Sequence, residues 1–314
     1  MTVLRLLIGI LTVLVAGNSA WAADKCGLFE TASLDMGADG SGLVDVPMSI
    51  EGHEVKMLVD TGGIFSMVTA RTADDIGLQR HATNLTGSDA TPIAYYGGAI
   101  VKEYVDANSI KLGNLSADRM TLFIIPDSNI DSSKFGGTLA SDVLRKYDVD
   151  FDFGKSKLNL FSPDHCDGQV VYWTQTPYAK VPIKLNSDGH IDVEIQLDGK
   201  VISARLDTGA GRTFMSLEYA EAAFGIDGKD SQLKPIEGSG KKGESPAYTY
   251  PFRSFALGDI QVLNPNIILV SDEYSKRREI NSPPIILGIG MLRQLHLYIA
   301  YRERNLYATG ASAR

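Results

Sequence analysis

The sequence predicts a mostly β protein made of two similar lobes around a central cleft. Three observations carry this. A stretch of the first half recurs in the second without a gap, with Asp60 and Asp207 standing 147 positions apart. Within each copy apolar and polar residues alternate with a period of two, the pattern of half-buried strands. Helical periodicity is short and weak, confined to Thr72–Gly77, Ala140–Lys146, Ser216–Phe224 and Met291–Leu295.

Residues 1–22 read as a signal peptide. Arg5 is the single charge before Asp24, Leu6 to Ala16 are an apolar core, and Ala20-Trp21-Ala22 gives a small-x-small cleavage pattern. The apolar stretch is shorter than the roughly 20 residues that span a bilayer, so no stable membrane insertion is expected after cleavage. Export to a periplasmic or secreted location follows.

The first lobe is placed at 23–165. It contains Val46 to Gly62, whose counterpart is Val193 to Gly209. Val46 matches Val193, Met48 Ile195, Ile50 Leu197, Val55 Ile202 and Val59 Leu206. Gly52 and Gly199 sit between the paired strands, where a hairpin needs tolerance of positive φ. Further on, Ile110 to Leu115 resembles Phe255 to Ile260, each followed by an apolar strand, Thr121 to Ile125 and Asn266 to Val270. Each half then closes alike, with strand pairs through Val149 and Leu160 and through Leu297 and Leu306. Residues 166–179 are polar, contain Pro177 and lack periodicity, so they are read as a linker. The second lobe is placed at 180–314.

An Asp-Thr-Gly alone is a common turn. Here it stands twice, at equivalent points of a repeat, each time after an apolar strand. A carboxylate at the end of a buried segment is costly unless a proton is shared or hydrogen bonds are donated to it. Two halves related by an approximate two-fold axis bring Asp60 and Asp207 together, and carboxylates that close share one proton. One is then a base for water and the other an acid for a carbonyl oxygen. Thr61 and Thr208 are expected to hydrogen-bond across the axis. Gly62 and Gly209 let backbone N–H groups approach the carboxylates, and the small Gly63 and Ala210 continue each turn. Ser66 and Thr213 are expected to offer a hydroxyl near the outer oxygen of each Asp.

These motifs resemble the aspartic peptidases, most of all the retropepsin-like bacterial aspartyl proteases, duplicated into a pepsin-like bilobal arrangement. The second half matches the family pattern with Leu206, Asp207 to Ala210 and Ile286-Leu287-Gly288; the first matches it with Leu58-Val59, Asp60 to Gly63 and only part of Leu139-Ala140. The resemblance implies two acid-protease β lobes, a catalytic pair Asp60 and Asp207, and a peptide or protein substrate. It also implies a flap over the cleft, for which Tyr95, Tyr96, Gly97 and Gly98 occupy the first-lobe place. Ala140 stands where the family loop carries glycine, so the first loop has to accommodate an added methyl.

Composition narrows the partners. The net charge is −8 and the longest basic run is Lys276-Arg277-Arg278, so no nucleic-acid partner is expected. The five histidines, His53, His81, His165, His190 and His296, show no metal-ligand spacing; no metal and no cofactor are expected. Cys26 and Cys166 are the two cysteines, and in an exported chain they are expected to pair. Free thiols or an interchain bond are the alternatives. The main expectation is a monomeric aspartic endopeptidase. A catalytically silent bilobal peptide-binding protein of the cell envelope is the alternative, and pairing of each lobe with its twin in a homodimer is a third.

Overall fold

The computed structural model describes residues 26–40, 42–83, 99–126, 131–237, 239, 246–271 and 283–311. The expected signal peptide, the flap residues Tyr95 to Gly98, the polar run 241–245 and Lys276 to Arg278 lie outside the described residues.

Each half is built on the same hairpin. In the first, β3 (Val44–Ile50) pairs with β4 (His53–Val59); in the second, β13 (Ile191–Leu197) pairs with β14 (Lys200–Asp207). The turns have positive φ at both central residues, Glu51 with Gly52 and Asp198 with Gly199. That geometry matches the right-handed twist of the strands it joins. Val46, Met48, Ile50, Met57 and Val59 face the core of the first half, and Val193, Ile195, Leu197, Ala204 and Leu206 that of the second.

The next elements repeat too. β9 (Gly137–Leu139) runs parallel to β4, and β21 (Ile285–Gly288) runs parallel to β14. β5 (Met67–Thr69) lies against β9, and β15 (Thr213–Ser216) against β21, both antiparallel. Short helices follow: α1 (Ala70–Asp75) and α3 (Leu217–Phe224), then α2 (Ser141–Leu144) and α4 (Ile289–Leu292). Thr69 and Ser216 cap α1 and α3 by accepting from the N–H of Thr72 and Tyr219.

The halves differ in their outer strands. β7 (Glu103–Leu112) and β8 (Leu115–Ile125) form one long hairpin. The second half breaks it into β17 (Ala247–Thr249), β18 (Ser254–Leu257), β19 (Ile260–Leu263) and β20 (Ile267–Val270). Pro251 and Pro265 stand at the breaks, where a missing N–H removes a ladder bond.

A third layer joins the lobes. β1 (Glu30–Asp35), β11 (Lys157–Phe161) and β10 (Asp148–Asp152) come from the first half; β22 (Leu295–Ala300), β23 (Asn305–Gly310) and β12 (Ala179–Leu185) come from the second. They form one run in the order β1-β11-β10-β22-β23-β12, with β10 antiparallel to β22 at the seam. One face supplies Val149, Phe151, Leu158, Leu160, Leu297 and Leu306 to the main core. The other carries Asp148, Asp150, Asn159, His296 and Tyr298, all buried. The stretch read as a linker lies packed on that polar face. Val170 is fully buried, the Trp173 ring stacks on His296 at 4.3 Å, and Tyr172 Oη donates to Asp150. Cys26 and Cys166 form a disulfide, which ties the beginning of the first lobe to this cover.

Candidate active site

Asp60 follows the last residue of β4, and Asp207 is the last residue of β14. The parallel neighbour fixes each position: Asp60 N donates to Leu139 O at 2.9 Å, and Asp207 stands in register with Gly288. Both strands therefore deliver a carboxylate to the same level of their lobe.

The threonines lock the two loops together. Thr61 N donates to Thr208 Oγ1 and Thr208 N donates to Thr61 Oγ1, each at 3.0 Å. Thr61 Oγ1 donates to Leu206 O at 3.0 Å, and Thr208 Oγ1 to Val59 O at 2.7 Å. Each hydroxyl thus both accepts from and donates to backbone groups at one strand end of the other half. Both threonines are buried, so loss of either hydroxyl would strand polar backbone groups.

The glycines explain how closely the halves approach. A Cβ on Gly62 would lie 2.5 Å from Asp207 Oδ1, and one on Gly209 would lie 2.5 Å from Asp60 Oδ1. The glycine of each motif is therefore required by the aspartate of the other. Within each loop, Gly62 N donates to Asp60 Oδ1 at 2.9 Å and Ala210 N to Asp207 Oδ1 at 3.0 Å.

The electrostatics follow from this geometry. Burial pushes the Asp60 carboxyl well above the ordinary carboxylate range, and the negative charge of Asp207 adds to it; the N–H groups of Gly62 and Gly63 pull it part of the way back. A hydrogen bond links the two carboxyls, so the pair is suited to hold one proton between them. Asp60 and Asp207 are each half-buried.

Ser66 and Thr213 correct an expectation. Neither hydroxyl is bonded to Asp60 or Asp207. Ser66 Oγ donates to Asp142 Oδ1 at 2.6 Å and accepts from Ala140 N, while Thr213 Oγ1 accepts from Gly288 N. Six residues beyond the Asp the chain has left the turn, with Ser66 just before β5 and Thr213 opening β15, so the hydroxyl faces the adjoining β9–α2 or β21–α4 junction.

Ala140 is accommodated. A Cβ at the corresponding Gly288 would fall 2.6 Å from Ala210 O, whereas Ala140 sits fully buried at the start of α2, with a Cβ at Gly63 reaching it at 3.1 Å. Ser141 N still donates to Gly63 O at 3.2 Å, which closes the first loop as Ile289 N does the second through Ala210 O at 2.8 Å. Asp142, bonded to both the N–H and the hydroxyl of Ser66, adds an anchor in the first half.

Two further residues at the site escaped the sequence reading. Asp142 has no special spacing in the sequence. His190, treated there as an ordinary histidine, brings Nε2 to 2.8 Å from Gly62 O. Its signal is a break in the repeat: at the 147-residue offset His190 replaces Leu43, although Val44, Asp45 and Val46 match Ile191, Asp192 and Val193. Among the described residues no group of three or more His, Cys, Asp or Glu side chains is placed to hold a metal ion.

Comparison with known proteins agrees with the duplication. The aspartyl protease family model matches twice, over residues 46–143 and again over 193–291. No curated protein matches the sequence. Among solved structures, the crystal structure of basic 7S globulin from soybean is similar with a TM-score of 0.51 and 11% identity, covering 91% of this chain and 96% of that one. At that identity the likeness speaks for the pepsin-like fold alone. Two family matches, each beginning at its own hairpin and running through its own Asp-Thr-Gly to the following helix, place this chain in the aspartyl protease family.

Proposed function

We propose that this chain is an aspartic endopeptidase that hydrolyses peptide bonds with a water activated by Asp60 and Asp207. The observation that carries the reading is the reciprocal lock of the two Asp-Thr-Gly loops, which sets two carboxyls against each other with a hydrogen bond between them. A structural role for both acids is hard to reconcile with burial beside a like charge, because that arrangement costs stability unless a proton is shared.

The chemistry follows from one proton on the pair. The ionised carboxylate accepts a proton from a bound water as its oxygen attacks the scissile carbonyl carbon. The protonated carboxyl donates to the carbonyl oxygen, giving a tetrahedral diol. The carboxyl that took the water proton then gives it to the departing nitrogen while the other carboxylate takes a proton from a diol hydroxyl, so the C–N bond breaks, a carboxylic acid and an amine leave, and the pair again holds one proton. The substrate is a peptide or protein segment held between the lobes. Both carboxyls belong to one chain, so the unit of activity is the monomer. The disulfide fits an exported protein, with residues 1–22 as a removable signal peptide and the bacterial periplasm or exterior as the site of action. Among the described residues no helix is long and apolar enough to cross a membrane.

Cleavage-site mapping of a peptide library by the purified protein, from acid to neutral pH, tests the reading. A statine-type peptide, whose hydroxyl mimics the diol, should bind more tightly than the matched substrate. Asp60→Asn protein that cleaves as fast as wild type would reject the proposal.

A further inference from the structure

The two halves reach into each other through equivalent loops. Gly189, at φ +95°, packs against α2 of the first half, where a Cβ would lie 3.0 Å from Ser141 Cβ and 3.5 Å from Arg145 Nη1. Gly42, 147 positions earlier at φ +86°, packs against Arg293 of the second half in the same way. The following residue differs, Leu43 in one loop and His190 in the other.

His190 is held firmly. Its backbone N–H donates to Asp188 Oδ1 at 3.1 Å, and its carbonyl accepts from Asn186 N at 3.0 Å. The side chain is buried, with Nδ1 2.9 Å from Asp188 Oδ2 and Nε2 2.8 Å from Gly62 O. A carbonyl can only accept, so Nε2 carries the proton and donates it. The carbonyl of Gly62 shares its peptide unit with the N–H of Gly63, which donates to the Asp60 carbonyl at 3.3 Å and lies beside the Asp60 carboxyl, a Cβ on Gly63 reaching Oδ2 at 2.9 Å, so that it also pulls that carboxyl down. Polarising one end of a peptide unit strengthens the donor at its other end. His190 is thus one peptide unit away from Asp60.

We infer that His190 is a positioning residue for the proposed reaction, which polarises the Gly62–Gly63 peptide and so favours the ionised form of Asp60 over what its own loop would give. The inference rests on the peptidase reading for its catalytic consequence, though not for its electrostatic one. It makes the dyad unequal: the repeat supplies leucine, not a donor, at the matching place beside the second half. The charged groups around the imidazole are Asp188 on its own loop, Arg145 just after α2 beyond Gly189, and Asp60 across the peptide.

The test compares wild type with His190→Leu, which restores the residue of the first repeat, and His190→Gln, which keeps an N–H donor. Carboxyl ¹³C titration of aspartate-labelled protein reads Asp60 directly. In His190→Leu, Asp60 is expected to titrate at higher pH than in wild type. Peptide cleavage should show kcat lower by about 10-fold, KM within about twofold, and an acid limb of the pH–rate profile moved upward. His190→Gln should restore most of both. If the leucine protein does not fold, His190→Phe fills the volume without a donor and takes its place. An unmoved Asp60 titration in a folded variant, or a change confined to KM, overturns the inference. Failure of the peptidase reading looks different: wild type would cleave nothing, or Asp60→Asn would cleave normally, while the titration would still decide the role of His190.

Discussion

Two clusters of buried acids lie in this molecule, and they are resolved in opposite ways. Along β10, Asp148, Asp150 and Asp152 alternate with Val149 and Phe151, and the acids face the cover formed by residues 166–179. Each of the first two meets a histidine: His165 Nε2 lies 2.5 Å from Asp148 Oδ2, and His296 Nε2 lies 2.6 Å from Asp150 Oδ1. Asp150 also accepts from Asn159 at 2.8 Å and Tyr172 at 2.7 Å, and Asp148 accepts from Tyr301 N at 3.0 Å. At the Asp60 and Asp207 pair the neighbour is another acid, and the groups that lower Asp60 are backbone N–H groups. One cluster has the donors that satisfy a buried carboxylate. The other leaves a proton to be shared, which is an arrangement fit for chemistry and costly for stability.

The largest effect expected from this contrast is on activity. On the proposed function, Asp60→Asn and Asp207→Asn should each lower kcat for peptide cleavage by at least about 10³-fold, since each removes one of the proton transfers proposed for the pair. Thermal unfolding should show little loss, because an amide is neutral where a second charge was unfavourable. Substantial activity in both variants would remove the functional half of the comparison.

The mirror experiment acts on the sheet between the lobes. Asp150→Ala leaves His296, Asn159 and Tyr172 without their shared acceptor, and breaking a buried pair of this kind costs about 3–5 kcal/mol. Denaturant unfolding should show that loss, while cleavage per folded molecule stays near wild type. A variant as stable as wild type would show that the histidine pairs are ornament. Reducing the disulfide, or replacing Cys166 with Ala, probes the same region more gently. The bond spans 140 positions and pins the cover that closes over these acids. A loss of about 2–4 kcal/mol is expected, again read by denaturant unfolding.

Much of this was legible in the sequence because the repeat is gapless where it matters. The matched hairpins, Gly52 with Gly199, and the two Asp-Thr-Gly motifs all follow from aligning one half on the other. Contacts between halves were less legible. Nothing local says that Gly62 has to be glycine because of Asp207, 145 positions away in the chain. The strand through Val149 was expected, but the partners of its buried acids, His165, Tyr172 and His296, come from the end of the first lobe, the stretch read as a linker and the other half. The Ser66 and Thr213 expectation failed because proximity in sequence was read as proximity to the carboxylate, although by then the chain had reached the start of a strand. His190 was visible only as one mismatch in an otherwise faithful repeat.

The smallest effect is the dependence of stability on pH, and it separates the two clusters by degree. Burial raises both Asp60 and Asp148 above the ordinary carboxylate value. A carboxyl raised in the folded state binds its proton more tightly there than in the unfolded chain. Its contribution is therefore complete at pH below the unfolded value near 3.8 and is lost as pH rises through the raised folded value. At Asp148 the hydrogen bond and charge of His165, with the N–H of Tyr301, offset part of the rise. At Asp60 the charge of Asp207 adds to the rise instead. Asp60→Asn should consequently gain in melting temperature over wild type as pH is raised from about 4 toward 8, by about 2–4 °C for each kcal/mol of relief. Asp148→Asn should show a smaller gain with pH, because the pairing with His165 and the N–H of Tyr301 offset part of the rise there. Melting curves of both variants and wild type across this range make the check. Parallel Tm profiles for Asp60→Asn and wild type would mean that the Asp60 carboxyl is no more protonated in the folded chain than in the unfolded one, and the argument for a shared proton would fall with it.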